Sequence, residues 1–249
     1  ASGLARLLRE GEMRLRDANE QLERAAAMRR DFFHIVLHDL KSPISSATMV
    51  LGSMVEDPEA HTQERRDYWI GRLRARLQEA MELLRDFDVL AALEGDVISR
   101  HRKPVDLKKL LEIVIAEKSE LIRERQHSVI TEIEGGPLHV MGVERLLHEA
   151  IANYVTNAAK YTPKGGRITV RAFPVDGLIR VEVTDNGIGI SEEDQKLLFQ
   201  EFVRVRRGTE GHSSGSGLGL SIVRRIIESH GGRVGVRSQI NHGSTFYFE

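Results

Sequence analysis

Between residues 63 and 93 the apolar residues Ile70, Leu73, Leu77, Ala80, Leu84, Phe87 and Ala91 recur at alternating steps of three and four. That spacing is a helix with one apolar stripe. The stretch "VEDPEAHT", residues 55–62, is a turn by composition, and the chain before it is rich in Leu, Arg, Glu and Ala with few strand-like segments. Two antiparallel helices are therefore predicted on either side of the turn. A single hairpin leaves most of its stripe uncovered, and pairing two hairpins into a four-helix bundle is the natural way to bury it. The first constraint on the chain is thus a helical hairpin that calls for a second copy, a homodimer.

Further upstream, Leu8, Leu15 and Leu22 recur every seven residues with Leu4, Ala18, Ala25 and Phe32 in the companion positions, and Gly11 and Arg29 interrupt the seam. Such an a/d pattern fits an amphipathic helix packed within one chain or a parallel coiled coil; the charged flanks favour the coiled coil.

"EGDVISRHRKP", residues 94–104, breaks the helical pattern with Gly95, Pro104 and a basic cluster, and marks a hinge. Beyond it the periodicity changes. Helical stretches at about 106–125 and 142–160 alternate with period-two segments: "RITVRAF", "LIRVEVTD", and the surroundings of Val234, Val236, Phe246 and Phe248. The predicted organisation is an amphipathic helix or coiled coil (1–30), a helical hairpin (31–94), a hinge (95–105) and an α/β domain with a mixed sheet (106–249), an α+β chain overall.

Composition narrows the function. Lys+Arg 36 against Asp+Glu 37 leaves a net charge of −1, so no global pull toward nucleic acid exists. There is no cysteine, which excludes disulfides and thiol catalysis and is compatible with a cytoplasmic setting. No apolar run reaches the roughly 18 residues a membrane span needs. The chain starts at Ala1 without a methionine, which suggests that a sensor or membrane part precedes it in a longer protein.

Four stretches carry chemistry. "TDNGIGI" ends a strand at Asp185 and runs through Gly187 and Gly189, where backbone can approach a flat ligand; taken alone, Asp-Asn-Gly is also a common turn. "GSGLGLSIVRRIIESHGG" is a glycine-rich loop (Gly215, Gly217, Gly219) opening an amphipathic helix, whose first amides suit phosphate. Its spacing lacks G-x-G-x-x-G, and its late position excludes a dinucleotide fold. "HEAIANYVTNAAKYT" puts Asn153, Asn157 and Tyr161 on one helix face, with Lys160 adjacent. Such a face is a wet surface or a Mg²⁺ site, because one carboxamide oxygen suffices beside phosphate and water ligands. A fourth stretch, "FHIVLHDLKSPI", places His38 and Asp39 side by side ahead of Pro43. Proline cannot donate to the Asp39 carbonyl, so the helix is expected to bend below His38. His34 and His38 stand at i, i+4, but the Glu of H-E-x-x-H is missing and zinc binding is not expected. Trp69, Tyr68 and Phe87 are read as packing residues.

Together these stretches resemble the catalytic core of a sensor histidine kinase of a two-component system. "HDLKSP" resembles the phosphoacceptor box, "NYVTNAAKYT" the Asn-rich box, "DNGIGI" and "GSGLGL" the glycine boxes, and "FQEFVRV" the Phe box, in the family's order. The resemblance spans about residues 31–249. It implies a Bergerat-type ATP-binding domain hinged to a dimeric bundle, with ATP and Mg²⁺ as cofactors and a response regulator receiver domain as partner. By resemblance His38 is the nucleophile for the γ-phosphate, Asp39 its hydrogen-bond acceptor, Asp185 the contact of the adenine amino group and Asn157 the Mg²⁺ ligand. The nucleotide set would include Asn153, Lys160, Tyr161, Gly187, Gly189, Gly215, Gly217, Leu218, Gly219 and Thr245, with Arg204 as a candidate for the phosphates. Residues 208–214, "GTEGHSS", would be a lid over the nucleotide. Two departures stand out. Ser42 takes a position where phosphatase-active members usually carry Thr or Asn, so kinase activity is the expectation and phosphatase activity is left open. Asp39 replaces the more frequent Glu. Asn153 stands where gyrase-like relatives use a Glu, so hydrolysis by water should be slow.

Overall fold

The computed structural model describes residues 16, 19, 23, 37–93, 101–200, 203 and 217–249. The expected coiled coil, His34, the lid at 208–214, and most of the hinge lie outside the described residues. The chain divides into two compact units, residues 1–84 and 85–249.

In the first unit, helix α1 is described over residues 37–56 and α2 over Gln63–Leu93. α1 runs unbroken through Pro43, which is buried. Asp57, the residue before Pro58, closes the connection. Its carboxylate accepts from the Glu59 amide at 2.9 Å, Arg65 Nε at 3.0 Å and the Trp69 indole Nε1 at 2.7 Å. The turn is thereby tied to the first two turns of α2, and Thr62 caps that helix through its hydroxyl. Pro43, Ala47 and Val50 on α1 and Trp69, Ala80 and Leu83 on α2 are buried, at helical spacing. Of the stripe read from the sequence, Ala80 is among these, whereas Ile70, Leu77 and Leu84 are 45%, 48% and 49% exposed. α2 thus carries two apolar stripes. Trp69 is a packing residue whose polar edge is satisfied by Asp57.

In the second unit, β1 (Lys103–Asp106) pairs antiparallel with β3 (His139–Gly142). Between them lie α3 (Leu107–Glu117), α4 (Ser119–Glu124) and β2 (Ser128–Ile133). Asp106 caps α3 by accepting from the amides of Lys108 and Lys109. Then follow α5 (Glu144–Tyr161), β4 (Arg167–Val175), β5 (Leu178–Asp185), the short α6 (Glu192–Gln195), α7 (Gly219–Ser229), β6 (Val234–Gln239) and β7 (Gly243–Phe248).

The main sheet has the order β2-β4-β5-β7-β6, with β2 parallel to β4 and the other pairs antiparallel. The sheet is mixed, as expected for residues 106–249. One face is apolar: Ile168, Val170 and Ala172 of β4, Val181 and Val183 of β5, and Phe246 and Phe248 of β7 are all buried. Helices α3, α5 and α7 cover it, with α5 between the other two. Tyr154 of α5 is fully buried against Phe246 and Phe248, at ring separations of 5.5 and 6.1 Å. Each such side chain contributes about 1.5–3 kcal/mol of burial free energy. The opposite face is ionic. Glu182 accepts from Arg237 at 2.7 Å, Glu249 is held by Arg180 and Arg233, and the Arg180 guanidinium lies 4.7 Å from the Tyr247 ring centroid. Charged side chains covering a polar sheet face explain why only one side of the sheet recruits helices.

Candidate functional site

The site in the second unit forms at one end of the sheet, where β5 ends, α5 ends and α7 begins. Asp185 is the last residue of β5 and only 7% exposed. Its Oδ1 accepts the Gly187 amide at 2.8 Å, and the Ser244 amide donates to the same carboxylate. Burial raises its pKa above the ordinary value, and these two amide bonds pull it part of the way back. A buried carboxylate with acceptor capacity left over after two amide bonds is suited to reading an amino group on a flat ligand.

The glycines explain why backbone comes so close here. A Cβ on Gly187 would sit 2.5 Å from the Tyr161 carbonyl oxygen, and one on Gly189 would sit 1.8 Å from that of Gln239. Tyr161, at the end of α5, is half exposed and accepts the Ile188 amide at 3.4 Å.

On α5, Asn157 Nδ2 donates to Asn153 Oδ1 at 2.9 Å. This bond engages the Asn157 NH₂ and leaves its carboxamide oxygen as the acceptor, the atom type Mg²⁺ takes. Asn153 is a neutral amide already accepting a bond, so it is no base for a water molecule. Gly219, the first residue of α7, lies directly on Asn153: an added Cβ would be 2.3 Å from Nδ2. Leu218 is buried at the N-cap and, lacking a polar side chain, caps none of the first-turn amides; Gly217 ahead of it has φ +73°. Those amides are the donors a phosphate meets at a helix N-terminus. Lys160 stands in the last turn of α5.

The structure therefore brings together Asn153, Asn157, Lys160, Tyr161, Asp185, Gly187, Gly189, Gly217, Leu218 and Gly219. Gly215 and Arg204 lie outside the described residues. Thr245 is a correction. It pairs with Thr184, its hydroxyl 3.0 Å from that of Thr184, on the sheet face opposite Asp185; the residue facing the carboxylate's side is Ser244. The signal was available, because Phe246 and Phe248 face the core and strand alternation puts Ser244 with them. Two further residues escaped the sequence reading. Ser238 and Gln195 bond the glycine turn through Ile190, from positions 48 and 5 residues away in the chain.

In the first unit, His38 and Asp39 are on α1, with His38 Nδ1 3.2 Å from Asp39 Oδ1 and side-chain exposures of 83% and 37%. With Nδ1–H donating to the carboxylate, Nε2 carries the lone pair and faces solvent. Ser42, one turn on, is exposed. Among the described residues no group of three His, Cys, Asp or Glu side chains is arranged to hold a metal ion.

Residues 142–249, from the end of β3 to the C-terminal strand, match the family model described as "Histidine kinase-, DNA gyrase B-, and HSP90-like ATPase". Over its whole length the chain is similar to sensor histidine kinases. The sensor-like histidine kinase SenX3 of Mycolicibacterium smegmatis (strain ATCC 700084 / mc(2)155) is 30% identical over 248 residues, 98% of this chain and 64% of that protein. The catalytic domain of histidine kinase ThkA is 28% identical with a TM-score of 0.53, covering 59% of this chain and 93% of that one. ThkA in complex with the response regulator protein TrrA gives a TM-score of 0.66 over 88% of this chain and 60% of that one, at 23% identity, a likeness of fold alone. The chain spans just under two thirds of the length of the curated relatives it matches.

Proposed function

We propose that this chain is an ATP-dependent protein-histidine autokinase. It binds ATP at the Asp185 site, transfers the γ-phosphoryl group to Nε2 of His38, and passes it on to an aspartate of a response regulator. The observation that carries the reading is the exposed imidazole held through Nδ1 by Asp39 on one unit of a chain whose other unit is an ATPase-family domain.

In the transfer the Nε2 lone pair forms the N–P bond, the bond from the γ-phosphorus to the bridging oxygen breaks, and ADP leaves. The imidazole becomes positively charged, and the Asp39 carboxylate stabilises it through Nδ1–H. Asp185 fixes the base, and the first-turn amides of α7 with Lys160 bind the phosphates. Arg204 is assigned to the same phosphates. Asn157 Oδ1 would hold Mg²⁺, which when bound neutralises charge on the phosphate oxygens. The Asn153 amide leaves water without a base, consistent with transfer to histidine rather than hydrolysis.

Leu37, Ile44, Leu51 and Val55 on α1, 62%, 49%, 47% and 85% exposed, form a second apolar stripe beside Ile70, Leu77 and Leu84 on α2. Stripes at these spacings on both helices support pairing of two hairpins in a four-helix bundle. Among the described residues no helix is long and apolar enough to cross a membrane. We assign the catalytic region to the cytoplasm, where ATP and response regulators are, and a sensor to the remainder of a longer protein.

Incubation with γ-labelled ATP and Mg²⁺ tests the proposal. Label that is lost in acid, kept in alkali and absent from His38→Ala, with nucleotide binding retained by the variant, is expected. Binding of ATP by the unaltered chain without any label on it would instead argue for an ATP-binding scaffold.

A further inference from the structure

Three strands contribute one polar residue each to a single row on the helix-covered face of the sheet. Asp185 of β5 is in register with Ser244 of β7, and Ser244 with Ser238 of β6. The Ser238 hydroxyl donates to the Gly243 carbonyl at 2.8 Å, accepts the Ile190 amide at 2.8 Å, and lies 2.9 Å from the Ser244 hydroxyl. One donor and two acceptor sites are all a hydroxyl has, and here all three are used. Ser244 in turn gives its amide to Asp185.

The peptide groups at Ile190 are gripped on both sides. Its N–H goes to Ser238, and its carbonyl accepts Gln195 Nε2 at 2.9 Å; the same Gln195 nitrogen reaches the Ser238 carbonyl at 3.0 Å. Upstream, the Ile188 carbonyl accepts the Asn241 amide at 2.8 Å, and Gly189 lies on the Gln239 backbone too closely for any Cβ. The turn 187–190 is therefore moored to the β6–β7 hairpin, and that turn supplies the Gly187 amide that orients the Asp185 carboxylate.

We propose that Ser238, seconded by Gln195, is a positioning residue for nucleotide recognition: it holds the 187–190 turn so that the Asp185 carboxylate presents its remaining acceptor capacity to the amino group of the base. The proposal rests on the reading of Asp185 as the base-reading group. Neither Ser238 nor Gln195 touches the nucleotide. Their loss acts on base affinity and base selectivity, and leaves the phosphoryl-transfer step at saturating ATP intact. A loosened turn removes the Gly187 amide from Asp185, and discrimination against a base without the amino group then narrows.

The experiment measures the apparent KM for ATP of His38 phosphorylation, its maximal rate, and the preference for ATP over inosine triphosphate, which has an oxygen where adenine has the amino group. Ser238→Ala is expected to raise the KM about tenfold and to shrink the preference by a similar factor, with the maximal rate within about twofold of the unaltered chain. Ser238→Thr, which keeps the hydroxyl, is expected to restore both values. Should Ser238→Ala fail to fold, Gln195→Ala tests the same mooring from its other side, with a smaller shift in the same direction. Asp185→Asn separates the two claims. Loss of preference in Asp185→Asn, with Ser238→Ala and Gln195→Ala both indistinguishable from the unaltered chain, overturns the positioning role and leaves the base-reading role standing. Unchanged preference in Asp185→Asn itself overturns the base-reading role and the proposal with it.

Discussion

The helical hairpin and the α/β domain differ in how far each satisfies itself. The hairpin buries one stripe, Pro43, Ala47, Val50, Trp69, Ala80 and Leu83, and leaves a second, Ile44, Leu51, Ile70, Leu77 and Leu84, in solvent. The α/β domain closes its apolar face completely: Leu111, Ala150, Ile151, Tyr154, Val155, Ile168, Val170 and Val181 are all inaccessible. The reactive groups follow the same division. His38 stands out in solvent on one turn of one helix, whereas Asp185 is buried and bonded by two amides. On the proposed function the nucleophile meets two partners in succession, a nucleotide and a receiver domain, and so has to be accessible, whereas a group that tells one base from another has to be fixed and dry.

The largest effect that can break this comparison is on assembly. Leu77→Asp puts a charge in the exposed stripe of α2, and a charge at the centre of a helix–helix interface costs about 3 kcal/mol or more, over 100-fold in dissociation constant. On the proposed pairing of two hairpins, light scattering on the full chain is expected to show a dimer mass that falls to the monomer mass in Leu77→Asp, while ATP affinity stays within about twofold. A dimer that survives Leu77→Asp would mean that the hairpins pair through another face.

Glycine replacements sharpen the contrast at a smaller scale. A Cβ on Gly219 meets the Asn153 amide at 2.3 Å, so Gly219→Ala forces Asn153 off Asn157 or lifts the start of α7, and overpacking of this kind costs about 1–3 kcal/mol. The expected result is ATP affinity lower by about tenfold. Gly71, on the polar side of α2, has nothing within 4 Å of its Cβ position. Gly71→Ala replaces a poor helix former by the best, and is expected to stabilise by up to about 1 kcal/mol, about 2–4 °C in melting temperature. The same substitution therefore has opposite signs in the two units, readable by calorimetry and nucleotide titration.

The same contrast governs what was legible in the chain. β5 was read as "LIRVEVTD" and is Leu178–Asp185, because strict alternation on a strand buried on one face leaves a single register. Asn153, Asn157, Asp185, Gly187 and Gly219 could be picked out as candidates because each lies in a short continuous motif, and the structure places them at one end of the sheet. The hairpin was less so. Trp69, Ala80 and Leu83 and, one residue along, Ile70, Leu77 and Leu84 both keep helical spacing, and periodicity alone does not tell which stripe a helix gives to its own hairpin. Thr245 is in the expected nucleotide set, whereas alternation with Phe246 puts Ser244 on the face of Asp185. Ser238 was not legible at all, since its bonds run to Ile190, Gly243 and Ser244 across a tertiary approach that no local pattern encodes.

The smallest predicted effect sets two carboxylates against each other. Asp57 in the hairpin turn has its pKa lowered, first by the Trp69 indole and then by the Glu59 amide and Arg65. Between 3.8 and that lowered value the unfolded chain binds the more protons, so the stability Asp57 gives is complete above pH 3.8 and is lost as pH falls through its folded pKa. Asp185 runs the other way. Burial raises its pKa, so between 3.8 and the raised value the folded domain holds the more protons, and acidification over that window stabilises the domain. The same proton takes the charge off the acceptor and so weakens its bond to the base, and ATP affinity falls as the fold gains. The chain's single tryptophan is Trp69, bonded to Asp57, which makes its fluorescence a reporter of the hairpin turn alone. Urea unfolding followed at Trp69 is expected to weaken with acid below pH 3.8 and to lose that dependence in Asp57→Asn. ATP affinity is expected to fall with acid at higher pH, near the raised pKa of Asp185, and to be insensitive to Asp57→Asn. A Trp69 transition that keeps its acid dependence in Asp57→Asn would remove the carboxylate–indole bond as the clamp on the turn, and an ATP affinity flat across the window would mean that Asp185 meets the base without a charge.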